Sequence, residues 1–205
     1  MLEGINWLGH ASFCIEGEWT IYIDPWKISD GPPADLVLVT HQHHDHLSPA
    51  DIAKVRTPDT VVVCPQVCAG QLEGSVRLVK VGQTVVIGPV TVEVVPAYNT
   101  NKPNHPKEAG HVGYVVTVGG RRIYHAGDTD LIPEMDDIHC DVALLPIGGT
   151  YTMDADEAAQ ALERIKPQVA VPMHWGDVVG SKEDVERFRR QAPEGVRVEV
   201  LKAEA

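Results

Sequence analysis

Apolar residues in this chain come in short bursts broken by glycine, proline and polar residues, and most bursts have the length of a strand rather than a helix. The runs at 36–39, 61–63 and 169–171 are wholly apolar and rich in branched side chains, as strands buried on both faces are. The pattern predicts strands over 4–8, 12–15, 20–23, 36–39, 61–63, 76–79, 84–87 and 90–95, then 112–118, 122–125, 142–145, 169–171 and 196–200. Helices are predicted over 49–55, 65–72, 155–166 and 182–191. Ser48-Pro49 reads as an N-cap followed by proline at the first helical position. Asp154 with Glu157 three residues on reads as a capping box, and Pro167 closes that helix. The segment 96–110, with three prolines and three asparagines, has no period and reads as a loop long enough to suspect a function.

Strands cluster and then alternate with helices in each half. That order suits two sheets packed face to face with helices outside, although periodicity alone also permits an ordinary α/β fold. No repeat, low-complexity stretch or linker divides the 205 residues, so residues 1–205 are expected to form one domain. Hydrophobic residues at 43% and charged residues at 22% are ordinary for a globular protein. No apolar run is long enough for a membrane span, and the N-terminus lacks the basic and apolar regions of a secretory signal. Cys14, Cys64, Cys68 and Cys140 form no C-x-x-C pair and read as buried thiols, which points to the cytoplasm. The net charge of −12 disfavours nucleic acid, since phosphate binding draws on clustered lysine and arginine. The one dense basic group, Arg187, Arg189 and Arg190, is interleaved with acidic residues and reads as a solvated helix face.

Four histidines and an aspartate fall within His41-Gln42-His43-His44-Asp45-His46, directly after the apolar run 36–39. Polar donors thus begin where a strand leaves the core. In an extended segment His41, His43 and Asp45 share one side, and His46 follows once the chain turns. Imidazole and carboxylate donors suit a borderline metal such as zinc. A solvated histidine tract is the bland alternative, and it fits poorly with an internal position behind a core strand.

The string T-H-Q-H-H-D-H-L resembles the H-x-H-x-D-H signature of the metallo-β-lactamase superfamily. Asp24-Pro25, Gly127-Asp128 and Pro172-Met173-His174-Trp175-Gly176 follow predicted strands in the order that superfamily uses, and the matches span nearly the whole chain. The opening Trp7-Leu8-Gly9-His10-Ala11-Ser12-Phe13 is similar to the small stand-alone branch that includes the ascorbate-6-phosphate lactonase-like proteins. The resemblance implies an α/β/β/α sandwich of two mixed sheets with flanking helices. It implies two divalent ions, zinc by expectation and manganese or iron as alternatives. His41 and His43 would bind the first; Asp45, His46 and His174 the second; Asp128 would bridge them. Asp45 and Asp128 would be the catalytic carboxylates, acting with a metal-bridging hydroxide, and Asp24 would hold a ligand histidine from behind. Taken singly, Asp128 is good turn chemistry and His174 an ordinary core histidine; only the joint pattern makes them ligands.

The chain departs from that pattern where a third histidine for the first metal is expected, because Asn99 stands there. Asn99 could ligate through its amide oxygen, His105 or His111 could reach in, or the first site could be weak. The reading favours His105 as a metal ligand and treats His111 as structural. His10 is balanced between a role at the pocket and a plain turn, and His125 reads as packed beside the site. His44 and His139 are assigned no role, and Tyr151 reads as a candidate oxyanion donor set against two turn glycines.

A hydrolase acting on a small polar ester, lactone or phosphoester is the leading function, with a small-molecule substrate and room for a homo-oligomer. Two alternatives stand beside it. A nucleic-acid phosphodiesterase normally adds a basic clamp, which this chain lacks. A non-enzymatic metal or ligand sensor stays open because of Asn99, although Asp45 and Asp128 argue for turnover.

Overall fold

The computed structural model describes residues 1–204. Strand β4 (Ala34–Leu38) shows how the layers arise. Its alternate residues Leu36 and Leu38 enter the main core, while Val37 and the following Val39 join a second cluster on the opposite face. A strand apolar on both faces must be covered on both. Helix α1 (Pro49–Val55) supplies the outer cover, burying Ile52 and Val55 against Val37, Val62 and Cys64.

Strand β4 lies in a mixed six-stranded sheet of β1 (Ile5–Gly9), β2 (Ser12–Ile15), β3 (Ile21–Ile23), β4, β5 (Arg56–Pro65) and β6 (Val76–Val79), in that spatial order. β1, β2 and β3 pair antiparallel in succession, and β3 to β6 are parallel. A second mixed sheet is ordered β13-β12-β11-β10-β9-β8-β7. Its antiparallel half is β7 (Thr84–Ile87), β8 (Val90–Pro96), β9 (Val112–Val118) and β10 (Arg121–His125). Its parallel half continues from β10 into β11 (Val142–Pro146), β12 (Val169–Met173) and β13 (Arg197–Val198). Facing residues such as Phe13, Ile23 and Leu38 from one sheet and Val92, Tyr114 and Ile123 from the other fill a common core. Helices α2 (Ala155–Ile165) and α3 (Lys182–Gln191) add Leu162, Ile165, Val185 and Phe188 to it. The expected sandwich of two mixed sheets with flanking helices is the fold found.

The capping expectations hold: Ser48 caps α1 with proline in its first turn, and Asp154 with Glu157 forms a full capping box on α2. Three elements differ from the sequence pattern. The helix expected over 65–72 is only a 3-10 turn at Gln66–Cys68, since Pro65 offers no side-chain cap and Gly70 takes a left-handed φ of 83°. The strand expected over 61–63 lengthens to Arg56–Pro65, and the one over 196–200 shrinks to two residues at the sheet edge. The loop 96–110 contains a short 3-10 turn, Lys107–Ala109.

The ends of β3, β4, β8, β10 and β12 are followed by Asp24, His41, Asn99, Asp128 and His174 within a few residues each. Strands of both sheets therefore deliver polar residues to one place.

Candidate metal centre

The histidine tract is not extended throughout. Thr40 is fixed by Asp24, whose Oδ1 accepts from the Thr40 amide at 2.7 Å and whose Oδ2 accepts from its hydroxyl at 2.6 Å. The chain then turns, with the amides of His46 and Leu47 both donating to the His43 carbonyl at 3.0 and 2.8 Å. The single shared side expected for His41, His43 and Asp45 is thereby corrected: the turn sends Asp45 away with His46. His41, Asp45 and His46 are buried, His43 is half-buried, and His44 leaves 85% of its side chain in solvent.

Three sets of donors converge, the candidate ligand atoms within each lying no more than 4.8 Å apart: His41, His43 and His105; His10, Asp45, His46 and His174; and His41, His46 and Asp128. Asp128 sits between the first two. Its Oδ1 lies 3.2 Å from His46 Nε2, and its Oδ2 lies 3.4 Å from His105 Nε2, 3.3 Å from His174 Nε2 and 3.9 Å from His41 Nε2. Close as they are, Asp128 Oδ1, His46 Nε2 and both ring nitrogens of His174 are buried without a properly aligned hydrogen bond. Buried polar atoms are seldom left so, because each forfeits its hydration. A cation among them satisfies Asp128 Oδ1, His46 Nε2 and His174 Nε2 at once, and nitrogen with carboxylate donors suits zinc, iron or manganese.

The charges agree with that. Burial favours the protonated form of Asp128, but His174 and His46 more than offset it and hold the carboxyl well below its usual range. Burial disfavours charge on His46, yet Asp128 and Asp24 on either side raise its pKa well above the ordinary value. His41 is pushed well down by burial and by neighbouring His46, and burial also lowers His43 and His105. Asp45 stays ionised: burial opposes this, and His10 and His46 outweigh it.

Behind the donors stand residues that aim them. Asp24, fully buried, accepts from His46 Nδ1 at 2.7 Å, so Nε2 of that ring faces the centre. Asn99 does not point its amide oxygen at the donors; Oδ1 accepts from the His105 amide at 3.0 Å and lies 3.0 Å from His105 Nδ1. That leaves His105 Nε2 3.1 Å from His43 Nδ1 and facing Asp128. The loop bearing His105 is anchored by Asp130, also fully buried, which accepts from Asn99 Nδ2, the Thr100 amide and Lys102 Nζ at 3.1, 2.8 and 2.5 Å. The turn after β10 thus supplies both the central carboxylate and the loop's anchor. Gly127 makes that turn at a φ of 63°, where a Cβ would stand 2.7 Å from the Val112 carbonyl.

His125 is structural, donating from Nε2 to the Ala11 carbonyl at 2.8 Å and accepting from the Gly127 amide at Nδ1. Tyr151 contributes its backbone carbonyl, which accepts from Asn99 Nδ2 at 2.8 Å. His111 is buried, with its ring 4.9 Å from that of His41 and neither nitrogen partnered, and burial with His105 and His43 pushes its pKa down to about 4. His10 joins the second donor set: its Nε2 is 3.1 Å from Asp45 Oδ2, and its ring centre is 3.9 Å from that of His174. His10, Asp24 and His174 hold left-handed φ values of 50°, 47° and 58°, a strained state for such residues that concentrates at functional sites. Asn99 as an aiming residue and Asp130 as an anchor were invisible as sequence signals, except that both fall just beyond strands beside expected donors.

Two cavities flank the donors. One of about 790 Å³ is walled by Val67, Val79, Pro96, Tyr98 and His111. The other, of about 360 Å³, is walled by Trp7, His10, Trp26, Lys27, Trp175 and Asp177.

Comparison with known proteins adds relatives. A family model described as a beta-lactamase superfamily domain matches residues 4–174. A UPF0173 metal-dependent hydrolase of Methanopyrus kandleri is 39% identical, the alignment covering 96% of this chain and 95% of the relative. Another, of Pyrococcus abyssi, is 36% identical over 97% and 96%. Among solved structures, a protein of Parabacteroides distasonis described as a metal-dependent hydrolase superposes with a TM-score of 0.88 at 33% identity, over 98% of this chain and 93% of that one. Igni18, a metallo hydrolase of Ignicoccus hospitalis, gives 0.79 at 25% identity, over 98% and 95%.

Proposed function

The chain belongs to the metallo-β-lactamase superfamily and is a metal-dependent hydrolase, and from that premise we propose that it uses two divalent ions to hydrolyse a small ester, lactone or phosphoester. The observation that carries the binuclear reading is the place of Asp128, between two donor sets and within 3.2–3.4 Å of nitrogens from His46, His105 and His174. In this reading His41, His43 and His105 hold one ion, Asp45, His46 and His174 the other, and Asp128 both. When bound, such ions polarise a carbonyl or phosphoryl oxygen and lower the pKa of water from 15.7 to roughly 7. The chain does the rest. Asp24 and Asn99 fix which nitrogen of His46 and of His105 faces inward. Asp45, kept ionised, is an acceptor that orients a water by its proton. The small-substrate reading is supported by the acidic balance, which offers a polyanion no attractive field.

Metal analysis with turnover on p-nitrophenyl phosphodiesters and on lactones tests this. About two ions per chain, with activity lost on chelation and restored by metal, is the expected result. Full turnover with a single ion bound would overturn the binuclear reading.

A further inference from the structure

Two donors at the centre have a neighbour that fixes them: Asp24 aims His46, and Asn99 aims His105. Asp45 is 8% exposed, and among the described residues its carboxylate has one hydrogen-bonding partner, His10. Nε2 of that ring lies 3.1 Å from Asp45 Oδ2. The same Oδ2 lies 4.0 Å from His46 Nε2, on the side of the other donors. A carboxylate oxygen has two acceptor positions, so Oδ2 can take a hydrogen on one and a cation on the other.

His10 is itself built in on several sides. It is 3% exposed and occupies the connection between β1 and β2 at a left-handed φ of 50°. Its carbonyl accepts from the His174 amide at 2.8 Å and from the Trp7 indole at 2.9 Å. Its ring centre is 3.9 Å from that of His174 and 5.1 Å from that of Trp26, which meets it edge-on. One residue therefore touches two donors that come from different sheets, Asp45 with its ring and His174 with its ring and carbonyl. Burial lowers the pKa of the ring more than the Asp45 contact raises it, so the ring is neutral. Its single hydrogen belongs on Nε2, since an ionised carboxylate only accepts, and Nδ1 stays buried without a partner. Leaving a buried nitrogen unpaired is unfavourable, so Asp45 and not Nδ1 sets how this ring stands.

We propose that His10 is a positioning residue of the hydrolytic site, whose Nε2–H fixes Asp45 Oδ2 among the second set of donors. The inference rests on the reading of Asp45 as a donor to the second ion, and it names the group that holds the carboxylate there. Ligating carboxylates are commonly held in this way by a hydrogen bond from behind.

The first measurement needs no metal. Long-range 1H–15N NMR spectra of chelated, 15N-labelled protein should show a neutral His10 ring with its hydrogen on Nε2, the signals being assigned by their loss in His10→Gln. A hydrogen on Nδ1 would overturn the inference. The second measurement is a metal competition titration on two variants. His10→Phe keeps a flat ring beside His174 and Trp26 but has no donor, and should weaken the second ion about ten- to a hundredfold with the first unchanged. His10→Gln loses the ring but returns an N–H on a side chain of similar reach, and should recover to within about threefold of the parent. Were the ring there only to fill space, the order would reverse, with His10→Phe near the parent and His10→Gln the weaker. That order, or a second ion held by His10→Phe as tightly as by the parent, overturns the inference. Should His10→Phe not fold, the ring hydrogen of the parent decides. A parent that binds a single ion or turns over no substrate would sink the binuclear hydrolase reading, and the metal-free spectra still decide this one.

Discussion

The two donor sets are built differently. The second takes Asp45 and His46 from the turn after β4, His174 from the end of β12 and His10 from the β1–β2 connection, all buried and all beside strands. The first takes His41 and half-buried His43 from the same turn but is completed by His105, from the middle of a loop. Strand ends are held by sheet hydrogen bonds and core packing, so the second set inherits its geometry from the fold. The first must be assembled, and the parts that assemble it are Asn99 and Asp130. Similar donor chemistry therefore rests on the core on one side and on a hydrogen-bonded loop on the other.

Removing what the sets share should have the largest effect. Asp128→Ala is expected to lower turnover more than about a hundredfold and to reduce bound metal in both sets, read by metal analysis beside kinetics. Activity near the parent level in that variant would break the picture of two sets joined by one carboxylate. Next in size is the asymmetry itself. His46→Ala should lose the second ion and also destabilise the fold, since it leaves Asp24 buried with one partner fewer. His105→Ala should lose about one ion with a smaller change in melting temperature. Equal melting shifts in the two variants would show that the loop is as firmly built in as the strands.

Donors of both sets were named in advance, though not how they are held. His41, His43, Asp45 and His46 stand out because a motif is packed into a few residues after an apolar strand, where period and chemistry coincide, whereas Asp128 and His174 are legible only as members of the joint pattern. That strands like 36–39 must be covered on both faces was legible from their composition, but the sandwich itself came from the resemblance, since the same pattern permits an ordinary α/β fold. The turn inside the tract was not legible, since alternation describes extended chain and the His43 carbonyl instead accepts two amides. Nor was the part played by Asn99, because an amide at a ligand position reads equally as a weak ligand or as a support. Its partner, the His105 ring, is found only once the chain is folded.

Metal should bind both sets only in the native state, so chelation is expected to lower the melting temperature by roughly 5–15 °C for a chain of this size. The chelated protein should in addition lose stability on acidification from pH 7 to 5. His10, His41, His43, His105, His111 and His125 all have lowered pKa values in the fold, first through burial. Below about 6.5 the unfolded chain then binds protons that the folded chain refuses, and stability falls with pH. His46, raised, works the other way: its contribution is complete below 6.5 and fades as pH rises through its folded value. Six against one sets the sign. A melting temperature of the chelated protein that rises toward pH 5 would contradict it.

The smallest expected effect discriminates best between a core-built and a loop-built set. Asn99 accepts from the His105 amide, lies against His105 Nδ1 and donates to Asp130 and to the Tyr151 carbonyl, so it ties the loop together without facing the donors. Supports of this kind are worth about ten- to a hundredfold in metal affinity. Asn99→Ala should weaken the first ion by that factor, leave the second unchanged and shift the melting temperature of chelated protein by only a few degrees. Were Asn99 itself a ligand, Asn99→His would tighten the first ion, because imidazole is the better zinc donor. With Asn99 as a support, the larger ring removes the acceptor for the His105 amide and weakens the same ion. The two roles predict opposite signs for one substitution, and a competition titration against a chromogenic chelator reads that sign directly.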